Sequence, residues 1–293
     1  MSFHQLVIEL GQADPGPAES ACFALGALSV SLADAADHPV LEPGPGAMPL
    51  WPDIRLSAIY SADTEPRIVA ATLIAVLALP ADSIRIEEVA DRVWEREWLK
   101  DFRPMRFGQR LWVCPGGQRP AAPGALMLEL DPGLAFGTGT HATTAMCLEW
   151  LDGFPLAGLR VLDYGCGSGI LALAALKLGA ASAWAVDIDP QALLATRDNS
   201  RRNGLEARLE VRAAGDVLPG PFDLVLANIL AGALRQLAPD FARLCRPGGT
   251  LLLAGLLEAQ AAEVADAYRP WFHIESGGQR EVWTALVAHR RAE

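Results

Sequence analysis

Along the first 90 residues the apolar positions switch between two periods. His4 to Leu10 and Ser29 to Asp34 alternate at period two, as half-buried strands do, whereas Ala18 to Leu28 repeats at helical spacing. A Pro/Gly-rich stretch, Pro39 to Pro52, then interrupts the pattern, because proline fixes φ and has no N–H to give a ladder. Strand Ile54 to Tyr60, helix Glu65 to Leu79 and strand Ser83 to Val89 follow. The order βαββαβ predicts a split βαβ, or ferredoxin-like, unit.

From Leu126 onward strands and helices alternate in the α/β manner. The pattern predicts helix Ala142 to Trp150, strand Arg160 to Asp163, helix Ile170 to Leu178, strand Ala183 to Ile188 and helix Gln191 to Arg202. Further strands are expected at Leu209 to Ala213, Phe222 to Asn228 and Thr250 to Ala254, with helices at Leu234 to Leu244 and Ala259 to Tyr268. The last two strands, His273 to Glu275 and Val282 to Ala288, are joined by Ser276-Gly277-Gly278-Gln279 and must pair antiparallel, since a parallel return needs a crossover. A parallel sheet finished by an antiparallel hairpin is the expectation. Between the two patterns, Trp94, Trp98 and Trp112 are interleaved with Arg92, Arg96, Lys100, Arg103, Arg106 and Arg110. Aromatics among bases can stack nucleic-acid bases, but Glu95, Glu97 and Asp101 alternate with them here, which favours an amphipathic linker helix packing its Trp face between domains. The division is therefore 1–90, a connector 91–124, and 125–293.

Composition narrows the partners. The chain has 293 residues, 51% of them hydrophobic, and a net charge of −11, so it can bury a core and repels phosphate backbones. Residues 1–83 carry two bases against ten acids, a net of −8, which is either a solvated face or a docking surface for something basic. Met1-Ser2-Phe3-His4 has no basic residue of the kind that opens a secretory signal, and the longest apolar run, Ile68 to Leu79, is far short of the about 20 residues of a membrane span. The five cysteines never pair as CxxC and the five histidines are scattered, so no metal site and free thiols in a reducing cytoplasm are expected.

The strongest motif is Val161-Leu162-Asp163-Tyr164-Gly165-Cys166-Gly167-Ser168-Gly169, a strand, a glycine turn and a helix start. The glycines let a ligand approach the backbone, but the spacing is GxGxG and not the GxGxxG of a dinucleotide site. Asp187, 22 positions after Gly165 at the end of the next strand, is placed to accept hydrogen bonds from a ribose diol, while Asp189 suits a cap for the following helix. Asp216 is a turn residue or a neighbour of a base edge. Asn228 closes an apolar strand with an amide that both donates and accepts, at the carboxyl end where open α/β sheets bind ligands. Asp131-Pro132-Gly133-Leu134-Ala135-Phe136-Gly137-Thr138-Gly139-Thr140-His141 leads into Thr143 and Thr144; it lacks the Gly-Lys of a P-loop and suits a cover over a neutral or zwitterionic ligand. Its His141 is a general base or a brace for the loop.

Taken together, the segment 131 to 144, the Gly165 to Gly169 turn, Asp187-Ile188-Asp189-Pro190 and Ala227-Asn228-Ile229-Leu230 resemble the PrmA family, bacterial methyltransferases of ribosomal protein eleven of the large subunit. The likeness extends to Trp94-Glu95-Arg96-Glu97-Trp98 and Pro104-Met105-Arg106-Phe107-Gly108, and so covers nearly the whole chain. It implies a Rossmann-like, seven-stranded S-adenosylmethionine-dependent methyltransferase domain behind a small ferredoxin-like domain for substrate recognition. By motif, Thr144, Gly165, Gly167, Asp187 and Asn228 are implied to contact S-adenosylmethionine, with Asn228 also positioning the amine. The implied substrate is a basic ribosomal protein, with no direct nucleic-acid recognition, no membrane and a cytoplasmic monomer. Methylation of another protein's lysine on the same fold is the alternative; the usual Asn-Pro-Pro-Tyr of RNA and glutamine methyltransferases is replaced by Asn228-Ile229-Leu230-Ala231.

Overall fold

The computed structural model describes residues 2–36, 50–90, 103–131 and 139–292. Trp94, Trp98, most of the Pro39 to Pro52 stretch and the centre of the glycine/threonine loop lie outside the described residues. The chain divides into two compact units, 1–94 and 95–293.

In the first unit β1 (Ser2–Gly11), α1 (Gly16–Ala24), β2 (Ser29–Asp34), β3 (Ile54–Ser61), α2 (Pro66–Leu77) and β4 (Ile84–Ala90) follow in order. The sheet order is β2-β3-β1-β4, antiparallel throughout, which is the ferredoxin-like arrangement. Period two decides which side is covered: Ile54, Leu56, Ala58 and Tyr60 of β3 are buried while their neighbours are half-exposed. Leu6 and Ile8 of β1 and Leu73 of α2 complete this core. Helix α1 stops at Ala24, short of the expected Leu28, because Gly26 turns the chain through φ +91.

The second unit holds two sheets. β5 (Met105–Phe107), β6 (Leu111–Pro115) and β7 (Leu126–Leu130) form a three-stranded sheet, with β5 antiparallel and β7 parallel to β6. This corrects the expectation of an amphipathic linker helix within 91–124: Met105–Phe107 and Leu111–Pro115 are strands of the second unit, and Phe107, Leu111 and Val113 enter its core. The tight turn between β5 and β6 is held from helix α3 (Ala142–Gly153), whose buried Asp152 accepts from the amides of Gln109 at 2.6 Å and Arg110 at 3.3 Å.

The main sheet is built from β8 (Arg160–Tyr164), β9 (Ser182–Asp187), β10 (Leu209–Ala213), β11 (Phe222–Asn228), β12 (Cys245–Leu257), β13 (Phe272–Arg280) and β14 (Trp283–Arg290), in the order β10-β9-β8-β11-β12-β14-β13. β8 to β12 are parallel neighbours, and β14 runs antiparallel to both β12 and β13. Both faces are covered. Val161, Leu224, Leu226 and Leu252 pack on one side with α3 and α4 (Ile170–Lys177); Leu162, Val225, Leu251 and Leu253 pack on the other with α6 (Ala231–Leu244) and α7 (Ala261–Tyr268). Two-sided burial explains why these strands read as continuous apolar runs. Strand β12 starts at Cys245, upstream of the expected Thr250, because Arg246-Pro247-Gly248-Gly249 continues the strand. The remaining helix, α5 (Pro190–Asn203), joins β9 to β10. Among the described residues no helix is long and apolar enough to cross a membrane, and no group of three or more His, Cys, Asp or Glu side chains is placed to hold a metal.

Candidate functional site

The sheet order places a crevice where the order of strand addition reverses: β9 and β10 lie to one side of β8, and β11 and β12 to the other. Ligands of open α/β sheets bind outside the carboxyl ends of the strands at this switch. The glycine turn leaves β8 there. Gly165 and Cys166 donate to the Val186 carbonyl of β9 at 2.7 and 3.0 Å, which pins the turn to the neighbouring strand. Gly165 and Gly169 have φ of +81 and +80, and a Cβ on Gly165 would strike Ile229 Cγ2. Only glycine satisfies both demands.

Asp187 ends β9. Its Oδ2 accepts from the Gly167 amide at 2.9 Å and its Oδ1 from the Asp189 amide at 3.0 Å. A carboxylate has about four acceptor positions, so capacity for a diol remains. Asp189 caps α5 by accepting from Gln191 N at 2.8 Å, ahead of Pro190 in the first turn, as its position in the sequence suggested. Asp216 accepts from Ala213 N at 3.1 Å and so closes a turn.

Across the switch, Asn228 Nδ2 donates to Thr144 Oγ1 at 3.2 Å. Thr144 is buried in the first turn of α3. The bond engages the donor end of the Asn228 amide, and its carbonyl oxygen is in no hydrogen bond among the described residues. His141 is the N-cap of α3: Nδ1 accepts from Thr143 N at 3.4 Å and lies 2.7 Å from Thr143 Oγ1, while the ring sits edge-on to Trp283 with centroids 4.9 Å apart. Of the two readings of His141, this geometry is that of a brace. Ile229 joins the two halves of the site, because it follows Asn228 and is the residue a side chain on Gly165 would strike.

Several contributors were not singled out from sequence. Thr196 and Asn199, on the buried face of α5, donate to the carbonyls of Gly167 at 2.9 Å and Ser168 at 3.0 Å, holding the turn from below. Asn199 Oδ1 also accepts from the amide of Asp131 at 3.0 Å, which ties the start of the second loop to the same helix. Polar residues repeating at helical spacing among Ala192 and Leu193 were the available signal. Asp163, fully inside the unit, accepts from Ala172 N at 2.9 Å and so caps α4 in place of the side chain that Gly169 lacks. Burial pushes its carboxyl up to about 7, and its second oxygen has no hydrogen-bond partner among the described residues. Finally, Ile188, Val217 and Leu230 are exposed just beyond Asp187, Asp216 and Ile229, an apolar rim at the same sheet edge.

Comparison with known proteins settles the family. The pattern described as Ribosomal protein L11 methyltransferase (PrmA) matches residues 2–291. A ribosomal protein L11 methyltransferase of Pseudomonas paraeruginosa is 51% identical over 94% of each chain, and one of Alkalilimnicola ehrlichii is 47% identical over 99% of this chain and 100% of its own. The chain belongs to the PrmA family. A solved ribosomal protein L11 methylase of Lactobacillus delbrueckii subsp. bulgaricus is similar with TM-score 0.60 at 31% identity, covering 65% of this chain and 100% of that one. Within this PrmA chain, then, the methyltransferase fold brings Gly165, Gly167 and Asp187 together on one side of the switch and Thr144 with Asn228 on the other.

Proposed function

We propose that this chain transfers methyl groups from S-adenosylmethionine to amines of ribosomal protein L11, lysine ε-amines and the N-terminal α-amine, with 1–90 as the unit that recognises the substrate. The observation that carries the reading is the meeting of two hydrogen-bonded pairs, Gly167 with Asp187 and Asn228 with Thr144, at one strand switch although their members lie far apart in sequence.

The residues present suit the cofactor. A glycine turn pinned to Val186 at Gly165 and Cys166, an acceptor carboxylate at Asp187 and an apolar rim at Ile188 and Val217 suit a nucleoside carrying a sulfonium. When bound, S-adenosylmethionine supplies an electrophilic methyl, and the transfer is an in-line displacement. The chain's task is the nucleophile: a lysine of pKa about 10.4 is only about 0.04% neutral at pH 7, whereas an α-amine near 7.7–8.0 is roughly a tenth neutral or more. Asn228, its amide oriented by Thr144, turns a carbonyl oxygen to an incoming amine and aligns it. His141 is engaged as a helix cap, so positioning and desolvation carry the step without a dedicated base. All these residues come from one chain, so a monomer is sufficient.

Incubation with methyl-labelled S-adenosylmethionine and separated ribosomal proteins tests the reading. Label is expected on protein L11; label confined to RNA, or to a different protein, overturns it.

A further inference from the structure

The first unit has two outer faces, and they are unlike. The open face of its sheet is mixed: Gln5, Ser57 and Arg85 share it with Val7 and Ile59, and Glu9 pairs there with Arg55 at 2.9 Å and Arg85 at 3.0 Å. The helical layer carries exposed apolar residues in a continuous row. Helix α2 buries Val69, Ala70 and Leu73, yet its opposite side is apolar as well: Ile68 and Val76 are each 66% exposed, with Ala71 and Ala75 exposed between them. Positions 68, 71, 72, 75 and 76 form one stripe at helical spacing. The polar member, Thr72, donates its hydroxyl to the Ile68 carbonyl at 2.8 Å. On α1, which packs beside α2, Phe23 is 54% exposed.

A surface helix is ordinarily polar on its outer side, and an apolar stripe left there marks an interaction surface. Charge identifies the occupant. Glu19, Asp63 and Glu65 outnumber Arg67 at the edge of the helical layer and make no ion pair among the described residues, within a segment of net charge −8. A second copy would bring like charge against like charge, whereas a basic protein meets the apolar stripe and its acidic border together. We propose that the α1/α2 face, centred on Ile68 and Val76, is where the basic protein substrate docks through an apolar patch, the open sheet face remaining free. This rests on the reading of the first unit as the substrate-recognition unit.

The test uses the full-length protein with L11 as substrate. The double variant Ile68→Gln/Val76→Gln is expected to raise the KM for L11 about tenfold, with kcat, cofactor Kd and melting temperature unchanged. Ser57→Glu, on the sheet face, is expected to leave KM within about twofold. If Ser57→Glu raises KM and the helix variant does not, the first unit still recognises the substrate but the docking face is wrong. If neither moves KM, nor does a Phe23→Gln variant, the recognition role falls with it. Dimerisation of the wild-type chain in sedimentation that Ile68→Gln/Val76→Gln abolishes would make the occupant a second copy and overturn the proposal. Should the double variant melt early, the single substitutions Ile68→Gln and Val76→Gln carry the same KM readout.

Discussion

The two units of this chain break the rule of apolar inside and polar outside in different ways. The second has exceptions of both kinds, inward and outward: all the buried polar or charged side chains among the described residues belong to it, Asp163, Thr196 and Asn199 holding the turn between β8 and α4, and Ile188, Val217 and Leu230 are exposed at the same strand switch. In the first the exceptions lie outward, as apolar residues on the solvent side of α2. A buried polar group is costly unless it is bonded, and an exposed apolar stripe lacks a partner until something covers it. In the second unit the buried polar groups and the exposed rim gather at one strand switch, as suits a small ligand held by preformed backbone, whereas the stripe on α2 has no such polar floor beneath it.

The largest effect expected from breaking the inward pattern is at Gly165. Gly165→Val forces a β-branched residue to φ +81 and drives its side chain into Ile229. Left-handed strain and overpacking together are worth about 4 kcal/mol, so affinity for S-adenosylmethionine is expected to fall about 10³-fold by calorimetry. Affinity within tenfold of wild type would show that the turn does not cradle the cofactor. Next comes the amide pair. Asn228→Ala is expected to lower kcat about 10²-fold and Thr144→Val about tenfold, with the double variant no worse than Asn228→Ala alone, because Thr144 acts through Asn228. Additive losses would mean that the two residues act separately.

Much of this contrast was legible before any coordinates. The βαββαβ order, the parallel strands with a terminal antiparallel hairpin, and the positions of Gly165, Asp187 and Asn228 follow from periodicity, turn residues and motif spacing, all of which are local signals. What escaped depended on contacts distant in sequence. Strands β5 and β6 are too short for period two to show among the arginines of 103–110, and their turn is specified by Asp152, over 40 positions away. The support from Thr196 and Asn199 is likewise invisible until α5 is placed under the glycine turn. The apolar run Ile68 to Leu79 read simply as a buried helix, yet half of its circumference is exposed, since an all-apolar sequence does not say which side is covered.

Asp163 sharpens the inward half of the comparison through pH. Its carboxyl is raised to about 7 from an ordinary 3.8, chiefly by burial. Between those values the folded chain holds a proton that the unfolded chain has lost, so stability falls as pH rises through this window and levels off above about 7. Asp163→Asn keeps an acceptor for Ala172 N and carries no charge at any pH. Its unfolding free energy is expected to be flatter from pH 4 to 7 and higher than wild type at pH 8, on the order of 2 kcal/mol. Denaturant unfolding at a series of pH values checks this, and parallel curves for the two proteins would show that Asp163 does not titrate in the fold.

The smallest effect tests the outward half. The first unit carries −8 in residues 1–83, against a total of −11, so long-range attraction of a basic protein should come from this part of the chain. Screening shortens from about 10 Å at 0.1 M salt to about 3 Å at 1 M, which weakens steering and leaves contacts made inside the glycine cradle nearly untouched. The KM for L11 is therefore expected to rise about fivefold between 0.05 and 0.5 M salt, while the Kd for S-adenosylmethionine changes less than about twofold. Steady-state kinetics beside cofactor titration at the same salt concentrations separates the two. An equal rise in both would mean that salt acts on the methyltransferase unit itself, and an unchanged KM would leave the apolar stripe of α2, without its acidic border, as the whole basis of docking.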